Sequence, residues 1–286
     1  MKLSSPAADI YVPDGRPLAA ALARTTHLGI GAHQDDLEIM AYHGIAECRG
    51  SRDRWFTGVV VTDGSGSPRA GRFAAYSDEK MKAVRRAEQR RAAKLGGYAA
   101  MLQLAHPSTL VKSAGSPAVR GDLLAILRAT RPHTVYLHNP ADKHDTHIAV
   151  LWRSLEALRA LPRSLRPRQV YGCEVWRDLD WLPDGDKVLL DASADPKLAA
   201  KLVGVFRSQI AGGKRYDLAT AGRRLANATY HTSHATDGAT AITWAMDLTP
   251  LVQDDRLSVE EYTLGHVDRL RADIAARLRK FGGSIS

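Results

Sequence analysis

The decapeptide GAHQDDLEIM, residues 31–40, groups three side chains that are able to do chemistry, namely His33, Asp35 and Asp36. His33 and Asp36 are three residues apart, a spacing that places both side chains on one side of a turn or of a first helical turn. Such a pair suits a metal site. It also suits a helix cap, because aspartate is favoured at helix N-termini.

A second segment, HDTH, repeats this spacing much later in the chain, with His144 and His147 three residues apart. Two histidines and one carboxylate, with a fourth position left open, are ligands typical of catalytic zinc. Zinc would lower the pKa of a bound water to roughly 7, and Asp35 is placed to take the proton of that water. HDTH alone fits the N-terminal cap of a helix equally well. The two segments together favour a metal site, provided that the fold brings them to one place.

The predicted secondary structure, in which strands alternate with helices, is expected to bring the two segments together. Apolar runs predict five strands and allow a sixth, at 27–32, 55–64, 98–104, 133–140, 168–176 and 187–193. Helical patterns lie at 37–49, 78–96, 117–130, 144–159, 195–210, 217–228 and 258–280. This order predicts an α/β fold with a Rossmann-like, mostly parallel sheet, helices on both faces and a mainly helical C-terminal extension. Because such sheets bind ligands beyond the carboxyl ends of their strands, His33, Asp63 and the HDTH segment are expected at one edge.

The composition indicates one large globular domain. Hydrophobic residues make up 44% and charged residues 25% of the 286 residues, which is ordinary for a globular protein. We expect a single domain over 1–286, with a core at about 27–193 and a C-terminal extension at about 194–286. The two cysteines have no metal-like spacing, no apolar run approaches about 20 residues, and residues 1–29 lack the unbroken apolar stretch that would predict a secretory signal. A cytoplasmic protein without a membrane span is therefore predicted, and its oligomeric state stays open.

Several motifs carry a resemblance to a known family. AHQDDLE resembles the AHPDDE motif of the LmbE/PIG-L family of zinc-dependent deacetylases, and HDTH resembles the later HPDH motif of that family. VRRAEQRRAAKLG, residues 84–96, looks like the family's R-x-x-E-x-x-x-A-x-x-LG helix, and TDG looks like its T-x-G turn. A competing dinucleotide fingerprint fails, because the third glycine position after the GIG run is Gln34.

The resemblance implies a role for each residue of the two segments. It assigns His33, Asp36 and His147 to Zn²⁺, and Asp35 to the general base. His144 would stabilise the tetrahedral intermediate or protonate the leaving amine. Members of the family typically remove an acetyl group from an N-acetylglucosamine moiety, so the implied partner is a small N-acyl amino sugar or glycoconjugate.

The sequence departs from the family pattern at two positions. Gln34 replaces the proline of AHPDDE, which loosens the turn without changing a ligand. Thr146 replaces the aspartate of HPDH, a carboxylate that would orient the neighbouring histidine. Either Asp142 or Asp145 is expected to substitute for it, or His144 is less basic than the family histidine.

Glu88 is a carboxylate on the apolar face of the predicted helix 78–96. A buried carboxylate needs a partner, and Arg85 lies one turn earlier. We expect an ion pair that supports the site, with direct contact to substrate as the alternative.

Basic residues outnumber acidic ones, with 40 Lys and Arg against 31 Asp and Glu and a net charge of +9. Arg69, in the glycine-rich loop 62–76, is expected to bind a phosphate or carboxylate of an anionic substrate, as Arg72 could, although this loop also fits a flexible surface segment. A nucleotide- or nucleic-acid-binding protein with a vestigial metal site is the alternative function. Sparse aromatic residues, at 6%, argue against nucleic acid.

Overall fold

An eight-stranded sheet forms the centre of the computed structural model, which describes residues 1–282. The strands are β1 (Asp9–Tyr11), β2 (His27–Gly31), β3 (Phe56–Thr62), β4 (Ala100–His106), β5 (Thr134–His138), β6 (Gln169–Cys173), β7 (Val188–Asp191) and β8 (Ile242–Asp247). Their order across the sheet is β1-β4-β3-β2-β5-β6-β8-β7. The five strands from β4 to β6 pair in parallel, whereas β1 and β8 pair antiparallel with their neighbours.

Helices connect the strands and cover both faces of the sheet. They are α1 (Leu18–Ala23), α2 (Asp36–Met40), α3 (Tyr42–Cys48), α4 (Asp78–Gly96), α5 (Ser108–Lys112), α6 (Pro117–Thr130), α7 (Asp145–Arg159), α8 (Pro196–Gly204), α9 (Arg207–Ile210), α10 (Tyr216–Thr229), α11 (Thr249–Gln253) and α12 (Val259–Phe281). One apolar cluster joins the sheet to α5, α6, α7 and α11, and a second joins it to α2, α3, α4 and α8. The predicted α/β fold with a mostly parallel sheet is confirmed.

The strand order places the chemistry-bearing loops. β2 has β3 on one side and β5 on the other, so the chain direction across the sheet reverses at β2. A crevice opens at such a switch point, beyond the carboxyl ends of the strands. The loop after β2 contains His33, and the loop after β5 leads to His144 and His147.

Two strands and two helix breaks were not predicted from the sequence. β1 is a three-residue edge strand, and β8 lies within the extension that was expected to be mainly helical. β8 lies between β6 and β7 and pairs with both, so the extension is part of the central sheet. The predicted helix 37–49 is interrupted at Ala41, whose φ of −112° is not helical, and 195–210 is likewise two helices. Within residues 1–282, no helix is long and apolar enough to cross a membrane.

Candidate metal centre and cleft

The turn after β2 holds a strained aspartate. Asp35 has a φ of 101°, a left-handed conformation that costs a non-glycine residue on the order of 1–3 kcal/mol. It stands at the N-cap position of α2, yet its side chain makes no capping hydrogen bond. Capping therefore does not explain this aspartate. Its backbone N–H donates to Oε1 of Gln89 at 3.2 Å, and this contact helps to hold the conformation.

Asp36 points back toward the histidine that precedes the turn. The backbone N–H of His33 donates to Oδ2 of Asp36 at 2.7 Å. Burial alone would raise the pKa of the Asp36 carboxyl, but the neighbouring His147 and His138 and the hydrogen bonds it accepts lower this pKa well below its usual range. Asp36 is therefore ionised, as a metal ligand must be.

The segment after β5 orients a second ligand candidate. Nδ1 of His147 lies 3.1 Å from Oδ2 of Asp142, so its Nε2 is turned toward Asp36 and His33. A carboxylate behind a histidine fixes the tautomer and raises the basicity of the other nitrogen. Of the two expected substitutes for the family carboxylate, Asp142 makes this contact with His147.

The polar atoms of His33, Asp36 and His147 lie close together, with the two histidines facing different oxygens of the Asp36 carboxylate. Nδ1 of His33 is 3.2 Å from Nε2 of His147 and 3.4 Å from Oδ2 of Asp36, whose Oδ1 is 3.5 Å from Nε2 of His147. With metal–ligand bonds of about 2.0–2.1 Å, tetrahedral ligand atoms lie about 3.3–3.4 Å apart. The closest contacts among the three side chains are therefore near the separation of tetrahedral ligands, and these residues are candidates to hold a divalent cation. His33, Asp36 and His147 are brought together as predicted.

His144 both caps a helix and faces the cluster. Its Nδ1 accepts a hydrogen bond from the N–H of Thr146 at 3.2 Å, so it is the N-cap of α7. It also belongs to a group with His33 and His147 whose ligand atoms lie within 4.8 Å of one another. The capping bond leaves the proton of the neutral ring on Nε2. Burial, with the nearby His147 and His33, lowers the pKa of His144, which favours this neutral form.

His138, the last residue of β5, was missed in the sequence. It stacks on His147 with ring centroids 3.8 Å apart, and its Nε2 lies 3.4 Å from Asp36. That Nε2 accepts the backbone N–H of Ala32 at 3.0 Å, which occupies the lone pair a metal would need. Burial lowers the pKa of His138 to about 4 and keeps it neutral. Its position near the carboxyl end of the predicted strand 133–140 was the available signal.

A buried network supports Asp35 from behind. Nη2 of Arg85 lies 3.2 Å from Oδ2 of Asp35 and also donates to the carbonyl of Gln34. On its other side Arg85 lies 3.9 Å from Glu88, which accepts the N–H and hydroxyl of Ser208 at 2.8 and 2.5 Å. The expected Arg85–Glu88 pair is present, and it fixes the guanidinium beside Asp35.

The pKa of Asp35 is shifted toward neutrality. Burial raises it most, the Arg85 guanidinium opposes this shift, and the charge of Asp36 adds to it, giving a pKa of about 6. A carboxylate with such a pKa can hold and release a proton near pH 7.

A cleft of about 400 Å³ opens in front of these residues. One wall consists of the histidine–aspartate cluster (His33, Asp36 and His144) and the TDG loop. In that loop Gly64 has a φ of 77°, and a β-carbon on it would approach Oε1 of Gln34 to 2.6 Å. The opposite wall comes from the segment after β6 and from α10 with the turn before it. Its residues include Glu174, Val175, Trp176, Lys214, Tyr216, Thr220, Arg223 and Arg224. None of these residues was predicted.

Arg69 lies elsewhere. It pairs with Asp78 and donates to the carbonyl of Ser65 at 2.9 Å, whereas the cleft is lined by the preceding residues 62–68. Arg72 lies over the ring of Phe73. The structure thus does not bring either arginine to the cluster.

Known structures share this fold at low sequence identity. A conserved protein, TT1542 from Thermus thermophilus, has 20% identity and a TM-score of 0.61 over 78% of this chain and 94% of its own. N,N'-diacetylchitobiose deacetylase from Pyrococcus horikoshii has 18% identity and a TM-score of 0.61, over 78% of this chain and 83% of its own. The 4-carboxy-2-hydroxymuconate hydratase GalB from Pseudomonas putida has 18% identity and a TM-score of 0.58, over 78% of this chain and 96% of its own. These likenesses establish the fold alone, which carries more than one reaction.

The sequence itself matches one family. Residues 28–158 match the family model described as PIG-L: GlcNAc-PI de-N-acetylase. A comparison with curated protein sequences finds no match. The matched residues contain the turn after β2, the helix with Arg85 and Glu88, and the HDTH segment, which are the motifs that suggested the resemblance. Over residues 28–158 the sequence is therefore similar to that of the PIG-L (LmbE-like) family.

Proposed function

We propose that this protein is a metal-dependent deacetylase that hydrolyses the amide of an N-acyl amino sugar or glycoconjugate. The observation that carries the proposal is the convergence of His33, Asp36 and His147, whose closest polar atoms lie 3.2–3.5 Å apart, beside a buried aspartate with a pKa of about 6. The family match and the deacetylase among the similar structures support the same reaction class.

Zn²⁺ is the proposed metal, and the donor set supports it. Two imidazoles and one carboxylate with an open fourth position match catalytic zinc, and Fe²⁺ accepts the same ligand types. When bound, the metal would polarise the amide carbonyl and make a water nucleophilic near pH 7.

Asp35 is the proposed general base. Its carboxylate faces the cleft next to the ligand Asp36, and Arg85 with Gln89 fixes its orientation. It takes a proton from the attacking water and can pass that proton to the nitrogen of the scissile amide. Because its orientation is held by buried partners, little reorganisation is needed during the reaction.

His144 is proposed as a hydrogen-bond donor to the substrate. Its Nδ1 is held by the Thr146 N–H, so Nε2–H is the group left to contact the acyl oxygen or the leaving amine. A donor aimed at oxygen charge that develops during attack lowers the barrier of an acyl transfer.

We further propose one domain for the whole chain and a cytoplasmic setting. The place of β8 between β6 and β7 supports the first, because the extension then completes the sheet. Two buried cysteines without a disulfide, Cys48 and Cys173, are compatible with a reducing compartment.

Metal analysis with a substrate panel tests the function. Purified protein is expected to hold about one zinc or iron per chain and to release acetate from at least one N-acetylated sugar or glycoside. Protein that stays metal-free after reconstitution, releases no acetate and binds DNA with a steep dependence on salt would support the nucleic-acid alternative instead.

A further inference from the structure

The cleft wall opposite the histidine–aspartate cluster carries cationic side chains without acidic partners. We infer that Lys214 and Arg223 bind an anionic group, a carboxylate or a phosphate, attached to the amino sugar; this inference rests on the proposed function. It moves anion recognition from Arg69, which already pairs with Asp78, to the segment after β6 and α10.

A chain of contacts connects these cations to the catalytic residues. Oδ2 of Asp142, which orients His147, also accepts the backbone N–H of Trp176 at 3.3 Å. The Trp176 ring lies 5.9 Å from the His144 ring, centroid to centroid. Nζ of Lys214 lies 5.0 Å from the centroid of the Trp176 ring. A sugar that reaches His144 with its amide can therefore contact Trp176 and extend toward Lys214.

Arg223 stands beside the same tryptophan. Its Nη1 donates to the carbonyl of Val175 at 2.5 Å, which leaves its other donor groups unused. The nearby carboxylate of Glu174 is already occupied, because its two oxygens accept the N–H groups of Leu179 and Trp244 and the amide of Asn227. Among residues 1–282, no carboxylate lies within ion-pair distance of Lys214 or Arg223.

Half-buried cations are costly to desolvate without a partner, and a guanidinium binds carboxylate or phosphate oxygens bidentately. Arg224, buried behind Arg223, is already used by the carbonyls of Glu38 and Ile39 at 2.9 Å. The two half-buried cations are therefore the groups available to an anion.

The test compares three N-acetylglucosaminides, one neutral, one with a carboxylate and one with a phosphate on the aglycone. Metal-loaded wild type should prefer an anionic substrate, and Lys214→Met or Arg223→Met should raise KM for it about 10- to 100-fold, with kcat and the neutral substrate little changed. Arg69→Met is the matched control and should leave all three substrates unchanged. Whichever anion the enzyme prefers identifies the source of the charge.

Each outcome decides a different point. Hydrolysis of neutral and anionic substrates with equal kcat/KM, unchanged in both methionine variants, overturns the anion site and leaves the deacetylase intact. A rise in KM for the anionic substrate that occurs only in Arg69→Met would assign anion binding to Arg69, in the loop after β3. No hydrolysis of any N-acetylated substrate by the metal-loaded wild type overturns the proposed function, and the anion site with it.

A second, independent observation concerns the last helix. The outer face of α12 exposes Leu264, Val267, Ile274, Leu278 and Phe281, and Leu278 and Phe281 are 68% and 80% accessible. Together with Arg271, which lies between Val267 and Ile274, these residues are spaced alternately three and four residues apart along the helix. This spacing is the pattern of a coiled-coil seam.

The C-terminal half of α12 has no support from the rest of the protein. The helix is anchored at its start, where Tyr262 donates to the carbonyl of Asp247 and Arg269 pairs with Asp186. Within the described chain, no hydrogen bond or ion pair of residues 270–281 leaves the helix. Because helices in proteins gain most of their stability from packing an apolar face, the exposed apolar face of this segment favours a packing partner.

We propose that a second copy of this chain packs antiparallel on α12. The seam is symmetric about a point between residues 272 and 273, so reversal places Leu264 beside the partner's Phe281 and Val267 beside the partner's Leu278. The same register brings Asp268 level with the partner's Arg277, and the acidic start of the helix faces its basic end.

Sedimentation and cross-linking test this pairing. Wild type should sediment as a dimer, Ile274→Glu/Leu278→Glu as a monomer with unchanged acetate release, and Ala276→Glu, on the opposite side of the helix, as a dimer. Mild oxidation should link Val267→Cys/Leu278→Cys between chains but neither single variant. A monomeric wild type, or efficient linking of a single cysteine variant, overturns the antiparallel pair.

Discussion

The two walls of the cleft are built in different ways. In the wall formed by the turn after β2 and by the HDTH segment, Asp35, Asp36 and His147 are buried, and Asp36 and His147 each contact more than one charged or polarisable group. The wall formed by Trp176 and α10 is half-buried, and Lys214 and Arg223 on it make no ion pair within residues 1–282. The first is held rigid before a substrate arrives, whereas the second has unused binding capacity.

This difference separates chemistry from selection. Preorganised charges in a buried site lower the barrier of a reaction, and they would act on any substrate that places an amide there. Groups that stay free until a ligand arrives discriminate between ligands. Changes in the first wall should therefore lower kcat or remove the metal, and changes in the second should alter KM for particular substrates.

The largest effect is expected from the proposed ligands. His33→Ala, Asp36→Ala or His147→Ala should remove the metal and with it essentially all acetate release, because two remaining ligands bind weakly in a site shaped for three. Metal content per chain, measured by elemental analysis after gel filtration, checks this expectation. Wild-type metal content in all three variants would show that the ligands lie elsewhere.

Next in size is the loss of the proposed base. Asp35→Asn should retain the metal and reduce kcat about 10²- to 10⁴-fold, the range for a missing general base. In the wild type, activity should rise with pH through the Asp35 pKa of about 6, because the base acts in its ionised form. Loss of metal in Asp35→Asn, with metal retained in Asp36→Asn, would reverse the two assignments.

The buried wall could be predicted from the sequence, because its chemistry is local. His33, Asp35 and Asp36 share one turn, His144 and His147 share another, and the strand pattern places both turns at one edge. Short-range spacing and the rule for parallel sheets were sufficient for this part of the site.

The opposite wall depends on contacts between distant parts of the chain. Trp176 reaches Lys214 only because β8 inserts between β6 and β7 and α10 returns over the cleft, and no local pattern signals that packing. His138 was hidden for another reason, since a histidine at the end of a strand has no neighbouring ligand in sequence. Arg69 had the right loop, but its pairing with Asp78 depends on the path of that loop.

A smaller effect should separate the two aspartates near HDTH. Asp142→Asn should weaken metal binding about 10- to 100-fold, because Asp142 orients the His147 ring from behind. Asp145→Asn is the matched control and should bind metal as the wild type does. Metal affinity measured by competition with a chelator checks both. Equal affinity of Asp142→Asn and wild type would mean that the carboxylate does not hold the ligand.

The smallest effect concerns stability where the two walls meet, at α2. Glu38 lies in α2, and Arg224 of the opposite wall donates to its carbonyl oxygen at 2.9 Å. The Glu38 side chain is fully buried and accepts hydrogen bonds from Gln89 at 2.8 Å and Tyr98 at 2.7 Å. Burial raises the pKa of this carboxyl from 4.5 to about 8, so the folded protein retains a proton that the unfolded chain releases.

The sign of the pH dependence follows from that difference. Between pH 4.5 and 8 the folded state binds more protons than the unfolded state at this group, so its contribution to the free energy of unfolding falls as the pH rises. Glu38→Gln keeps an acceptor for Gln89 and Tyr98 but cannot ionise, and should lack this decline. Urea unfolding of both proteins at several pH values from 5 to 8 should therefore give curves that diverge in favour of the variant as the pH rises. Glu79→Gln, at an exposed position of α4, is the control and should run parallel to the wild type. Parallel behaviour of Glu38→Gln as well would mean that Glu38 is ionised in the folded protein and that α2 tolerates a buried charge between the two walls.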